Sequence, residues 1–253
     1  MRVAIAGLGL IGGSLARALV ARGHEVRGVD GPPALRRARA AGAIDKGVAT
    51  VEAAARGTDL VVLAAPPRVN LALLRRLAPL CRAGLAVTDV GSVKVPIEKE
   101  ARHLGLSCFV GGHPIAGSEG SGFDASSATL FRGHAWVLTP SADANAQRLV
   151  HRLVRAVGAQ PFLLDAAEHD RTLAFLSHVP QIVSWALYEA AVRDPVARRG
   201  LGLAGPGFRD MTRLARSPRP LWRDILGQNR AEVARALRAF EAALVRSRRS
   251  LRS

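Results

Sequence analysis

The feature that most constrains this chain is a rhythm that stops part-way. Up to about residue 165, short aliphatic runs at 2–6, 25–29, 60–64, 85–89, 108–111, 135–138 and 161–164 alternate with amphipathic stretches at 12–21, 34–41, 69–77 and 142–157. Strand and helix taking turns across short connections build βαβ units, so the expectation is an α/β fold with a mostly parallel, doubly wound sheet. After Asp165 the strand signal ends. Leu173, Leu176, Val179, Val183 and Leu187 recur at helical spacing, and 218–251 is helical again beyond a glycine- and proline-rich break at 200–207. Two domains are expected, an α/β domain over 1–165 and an all-helical one over 166–253.

The first strand runs into Gly7-Leu8-Gly9-Leu10-Ile11-Gly12, a GxGxxG string, and a helical pattern leaves it. Alone, such a string is as readily a glycine-rich turn. Here Asp30 lies 18 residues beyond Gly12, at the end of the next strand, and the combination is the dinucleotide-binding arrangement. In that arrangement Gly7 makes the tight turn, Gly9 lets backbone approach a pyrophosphate, and Gly12 lets helix pack on strand. The helix start offers N–H groups and the positive end of its dipole to the phosphates. Asp30 accepts hydrogen bonds from the adenine ribose and repels a 2′-phosphate, which favours NAD; Arg36 and Arg37 downstream keep NADP open. Ala65 and Pro66, after the strand at 60–64, form a small rigid turn expected beside the cofactor, or an ordinary strand end.

Composition narrows the class. Hydrophobic residues at 49% and two cysteines exclude a disordered chain and a disulfide-stapled one. The formal charge of +16, from 36 Lys+Arg against 20 Asp+Glu, raises nucleic acid, an anionic membrane or an acidic substrate as partners. Yet Lys46, Lys94 and Lys99 are the only lysines, so the excess reads as arginine bias over a solvated surface. Half of it falls in residues 201–253, which hold 12 arginines and 4 acidic residues. Cys81 and Cys108 read as buried free thiols of a reducing, cytoplasmic compartment. No apolar run is long enough for a membrane span, and no metal is expected.

Two strand ends carry candidate chemistry. One leads into Val90-Gly91-Ser92-Val93-Lys94, the other into Gly112-His113-Pro114. His113, flanked by glycine and proline where a parallel sheet presents its ligands, is suited to take a proton from a substrate hydroxyl, with Ser92 orienting it. In the helical half, His169-Asp170 and Ser177-His178-Val179-Pro180-Gln181 share one helix; Asp170, Ser177 and Gln181 fall on one face with His178 beside it, a polar patch that is either functional or a packing network. Pro180 is expected to kink that helix. Arg209, Arg213 and Arg216, at i, i+4 and i+7, suit capture of carboxylates or a solvated face.

Together with the GxGxxG string, the blocks Gly91-Ser92-Val93-Lys94, His113-Pro114-Ile115-Ala116-Gly117-Ser118-Glu119, Ser177-His178-Val179-Pro180 and Gly207-Phe208-Arg209-Asp210-Met211-Thr212-Arg213 resemble the prephenate/arogenate dehydrogenase family over essentially the whole chain. The resemblance implies a Rossmann-type domain followed by a helical dimerisation and substrate domain, in a homodimer. It implies NAD-dependent (NADP possible) oxidative decarboxylation of prephenate in tyrosine biosynthesis, with arogenate, or both, as the alternative cyclohexadienyl substrate. His113 and Ser92 are then catalytic. Arg213 binds the ring carboxylate, Arg209 lies near substrate or cofactor, Glu119 gates the cleft, and His178 and Gln181 line the substrate side. Many relatives have a histidine where this chain has Gln181, which leaves the choice of side chain open.

Two rivals remain. A β-hydroxyacid dehydrogenase shares the domain plan, but that family resembles a set using a lysine in the helical region, and no lysine follows Lys99 here. A non-catalytic nucleotide- or nucleic-acid-binding protein leaves His113, Ser92 and Arg213 unexplained.

Overall fold

The computed structural model describes residues 1–81, 85–118 and 120–251. Six strands, β1 (Arg2–Ala6), β2 (Glu25–Val29), β3 (Lys46–Gly47), β4 (Leu60–Leu63), β5 (Ala86–Asp89) and β6 (Phe109–Val110), form one parallel sheet in the order β3-β2-β1-β4-β5-β6. The chain first winds outward from β1 to β3, then returns to the other side of β1 with β4. That reversal opens a crevice at the carboxyl ends of β1 and β4, where Rossmann-type folds bind their ligands.

Period-two alternation divides the core. Val3 and Ile5 face helices α1 (Leu10–Val20) and α2 (Pro32–Ala40), whereas Ala4 and Ala6 face α3 (Val51–Ala55), α4 (Pro67–Cys81) and α5 (Val95–His103). The first face is completed by α6 (Ala144–Ala156), which buries Val150, Leu153 and Val154 and is capped by Asp143, whose carboxylate accepts from Asn145 N and Ala146 N. With helices on both faces, β1 beyond Arg2 and all of β4 are buried and read as continuous apolar runs. Cys81 and Cys108 are buried free thiols on the second face.

A second sheet was not expected. β7 (Gly112–Pro114) pairs antiparallel with β8 (Ala135–Leu138), and β8 pairs parallel with β9 (Gln160–Leu163). The single strand read at 108–111 is therefore two: Phe109 and Val110 close the large sheet, and the chain turns at Gly111 into the small one. His113 consequently lies on a strand, opposite Val137, and not in the loop beyond one. Strand β3 and helices α3 and α5 also went unread, the first two being only two and five residues long.

The remaining chain is helical: α7 (Ala166–Leu173), a π-helical turn at Ala174–His178, α8 (Val179–Arg193), α9 (Pro195–Arg199), α10 (Pro206–Thr212), a 3-10 turn at Arg213–Arg216, α11 (Arg219–Gln228) and α12 (Arg230–Ser250). By internal contacts the chain resolves into two units, Met1–His169 and Asp170–Ser253. In the second, Ala174 and Val179 pack on Val233 and Ala236 of α12. Pro180 lies in the first turn of α8, directly after the wide π turn at Ala174–His178. Among the described residues no helix is long and apolar enough to cross a membrane.

Candidate active site

The glycine-rich turn connects β1 to α1 at the sheet's carboxyl edge. Gly7 has φ +99°, and a Cβ there would lie 2.5 Å from Ala64 O, so both its backbone conformation and its contact with the end of β4 require glycine. A Cβ on Gly12 would meet Gly7 O at 1.9 Å; the helix can approach the strand only because that atom is missing. Gly9 faces open space. Leu8, Leu10 and Ile11 fill the positions between, and α1 begins at Leu10 with no side-chain cap, leaving its first N–H groups for a ligand.

Asp30 organises this turn from the end of β2. Its Oδ2 accepts from Leu8 N at 2.6 Å and its Oδ1 from Gly31 N at 2.6 Å. The carboxylate is exposed and retains lone pairs for two vicinal hydroxyls. The residues present thus fit a dinucleotide: an open glycine cradle, a helix start and a fixed acceptor pair. Arg36 and Arg37 are exposed on α2, with Arg37 3.8 Å from Asp124. The Ala65-Pro66 turn is held by a residue that sequence reading missed. Buried Asn70 accepts from Ala65 N at 3.1 Å and donates to Leu63 O at 3.2 Å.

His113 is buried at the edge of the same unit, and its Nδ1 is 2.8 Å from Nε2 of His169 on α7. His169 is fully buried, so this pairing fixes the ring against a rigid partner. Sequence reading saw His169 only as part of a helical polar patch; a contact across 56 residues leaves no periodic trace. Ser92 lies half-buried in the turn after β5. Beneath His113, Lys94 and Asp89 form a buried ion pair at 2.5 Å. Next to it, Thr139 accepts from Gly111 N at 2.7 Å and donates to the Glu98 carboxylate. Burial pushes the Glu98 carboxyl above its usual range, against the Thr139 hydrogen bond and the Lys94 charge, which favour the ionised form. Glu119 lies outside the described residues.

In the helical unit, Gln181 is fully buried; its Nε2 donates to Leu214 O at 2.7 Å and its Oε1 meets no hydrogen-bonding group among the described residues. His178 is buried with its Nδ1 3.2 Å from Asn229 Nδ2, which also donates to Asp170 O at 2.7 Å, and its ring meets Trp222 edge to face. Arg209 and Arg213 are both exposed. They keep the i, i+4 relation, but α10 ends at Thr212, and the 3-10 turn takes Arg216 out of the expected α-helical stripe.

The profile described as "Prephenate dehydrogenase, nucleotide-binding domain" matches residues 15–163, and that described as "Prephenate dehydrogenase, dimerization domain" matches residues 165–253. The cyclohexadienyl dehydrogenase of Zymomonas mobilis is 35% identical over 263 residues, covering 99% of this chain and 88% of that protein. The chain spans 65% of the length of two further curated prephenate dehydrogenases. Among solved structures, the prephenate dehydrogenase from A. aeolicus in complex with hydroxyphenyl propionate and NAD+ superposes with a TM-score of 0.88 at 33% identity, over 97% of this chain and 89% of that one. The Synechocystis arogenate dehydrogenase does so with a TM-score of 0.84 at 30% identity, over 97% and 90%. The GxGxxG turn with its acid, the strand-borne histidine and these matches together place the chain in the prephenate dehydrogenase family of oxidoreductases.

Proposed function

We propose that the protein catalyses NAD-dependent oxidative decarboxylation of prephenate to 4-hydroxyphenylpyruvate in tyrosine biosynthesis. The observation that carries this reading is the His113–His169 hydrogen bond, in the unit that also holds the dinucleotide turn. For the His113 Nε2 lone pair to accept the proton of the substrate's ring hydroxyl, Nδ1 must carry the other proton and donate it to His169. The His169 contact and the buried setting hold the ring in one orientation. When bound, NAD supplies the acceptor for the hydride that leaves the hydroxyl-bearing carbon. The new carbonyl lies opposite the carboxylated ring carbon and provides an electron sink, so loss of carbon dioxide is driven by aromatisation.

Orientation and charge complementarity are the protein's remaining tasks. Ser92 holds the hydroxyl in register with His113. Arg213 binds the ring carboxylate, Arg209 lies near substrate or cofactor, His178 and Gln181 belong to the substrate side, and Glu119 gates entry; these assignments rest on the family resemblance. Asp30 favours NAD, since its charge repels a 2′-phosphate. Arogenate is the second reading, supported by Gln181 standing where many relatives have histidine. The test is reduction of NAD and NADP by the purified protein with prephenate and with arogenate. NAD with prephenate is expected to give the highest kcat/KM.

The active form is a homodimer through the helical unit. Leu176, Tyr188, Leu203, Met211 and Leu221 of that unit are exposed apolar side chains, more than an isolated surface ordinarily presents in so short a segment. Sedimentation should give twice the 26.7 kDa chain mass. The buried free thiols support a reducing, cytoplasmic location. Nucleic acid is not a partner: the basic excess is an arginine-biased surface, part of which serves the carboxylated substrate.

A further inference from the structure

The two peptide groups ahead of His113 are gripped by side chains that see no solvent. Asp89 ends β5 and Lys94 precedes α5; their side chains are 2% and 0% exposed. Lys94 Nζ meets Asp89 Oδ2 at 2.5 Å and donates to Gly112 O at 2.7 Å. Asp89 Oδ1 accepts from Gly112 N at 3.0 Å, and Oδ2 also accepts from Gly91 N at 2.8 Å. One ion pair therefore holds both the N–H and the C=O of the residue before His113. A Cβ on Gly112 would lie 2.5 Å from Asp89 O, so the grip depends on backbone contact that only glycine permits.

A buried pair of this kind is a weak source of stability, because desolvating two ions offsets their attraction and apolar groups of like volume pack as well. What it supplies is direction. Strand β7 has three residues and β6 two, too few ladder bonds to fix the crossover between two sheets by themselves. We propose that the buried Asp89–Lys94 pair is the positioning device of His113, clamping Gly112 so that the imidazole meets His169 on one side and the substrate hydroxyl on the other. This rests on the reading of His113 as proton acceptor. Lys94 and Asp89 touch neither substrate nor cofactor in this account; they act through the Gly112 peptide.

The test compares Lys94→Met with the double variant Asp89→Asn/Lys94→Met. The single variant strands a buried carboxylate, and its Tm should fall. The double variant carries no unpaired charge, and its Tm should recover. Its kcat should nevertheless stay about 10- to 100-fold below wild type, the loss expected when a reacting group is misplaced by an ångström or less, with KM for substrate and NAD within about twofold. Recovery of kcat together with Tm would overturn the proposal. Where neither variant folds, Lys94→Arg keeps the charge but moves the donor; it should lower kcat with unchanged KM, and a wild-type kcat there counts against the clamp. A readout free of activity is the 15N shift of the His113 imidazole, assigned by its loss in His113→Asn. In the double variant the ring nitrogens should move toward the average of two tautomers, and unchanged shifts contradict positioning. Wild-type protein that oxidises neither cyclohexadienyl acid sinks the functional reading instead, and the 15N shifts still decide this one.

Discussion

His113 Nδ1 lies 2.8 Å from His169 Nε2, and the two rings meet edge to face with centroids 5.0 Å apart. A histidine so paired cannot rotate without breaking a buried hydrogen bond. His169→Leu removes the partner while filling its space. Steady-state kinetics should show kcat down about 10- to 100-fold, part of the range a positioned base contributes, with KM for NAD unchanged. An unchanged kcat would mean that His169 is only packing.

Asp30 ties the glycine turn to β2 and presents its carboxylate outward. Asp30→Ala should weaken NAD binding about tenfold or more, the scale of losing hydrogen bonds to a charged group. NADP binding should weaken less or improve, since the repulsion is gone. Calorimetric titration of both dinucleotides checks this; equal losses would remove Asp30 from cofactor selection.

Glu98 gives the molecule a pH dependence of known sign. Burial raises its folded-state pKa above the ordinary 4.5, so the folded protein holds the proton more tightly than the unfolded chain does. That contribution to stability is complete below the ordinary value and is lost as pH rises through the raised one. Glu98→Gln cannot ionise and still accepts from Thr139. Its Tm relative to wild type should therefore climb as pH rises above about 4.5 and level off once wild-type Glu98 is ionised. A difference independent of pH between 4 and 8 contradicts the assignment.

Gln181 donates to Leu214 O from a fully buried position. Gln181→Leu removes one of two donors to that carbonyl, which Ser217 N also reaches at 3.0 Å, and should destabilise the protein by about 1 kcal/mol, read by denaturant unfolding. Gln181→His instead tests the substrate side: it should shift the ratio of kcat/KM for prephenate and arogenate, and an unmoved ratio takes this position out of substrate choice.

What the sequence revealed and what it hid follow from range. The parallel sheet was legible because β1, β2, β4 and β5 are short segments of four or five residues rich in aliphatic and β-branched side chains, alternating with helical patterns. The Gly7, Gly12 and Asp30 arrangement was legible because its spacing is local. The division of residues 108–114 between two sheets was not, since strands of two and three residues have no period and are defined by their partners. Helix α5 escaped because only Ile97 and Ala101 of its nine residues are buried, too few for an apolar period to stand out. His113 was readable as a candidate from its neighbours, but His169, Asp89 and Asn70 were not readable as its supports or those of the cofactor turn. Each acts through a contact whose partner is unmarked in the sequence, and the reason Gly112 must be glycine appears only when β5 lies beside it.

In the proposed reaction His113 takes the hydroxyl proton as hydride leaves. Its most direct test is the rate of NAD reduction with prephenate by wild type and by His113→Asn, each shown to be folded by circular dichroism and to bind NAD. Wild type should turn over, and the variant should lose about 10²- to 10⁴-fold. A folded, NAD-binding His113→Asn protein that turns over at the wild-type rate would contradict it.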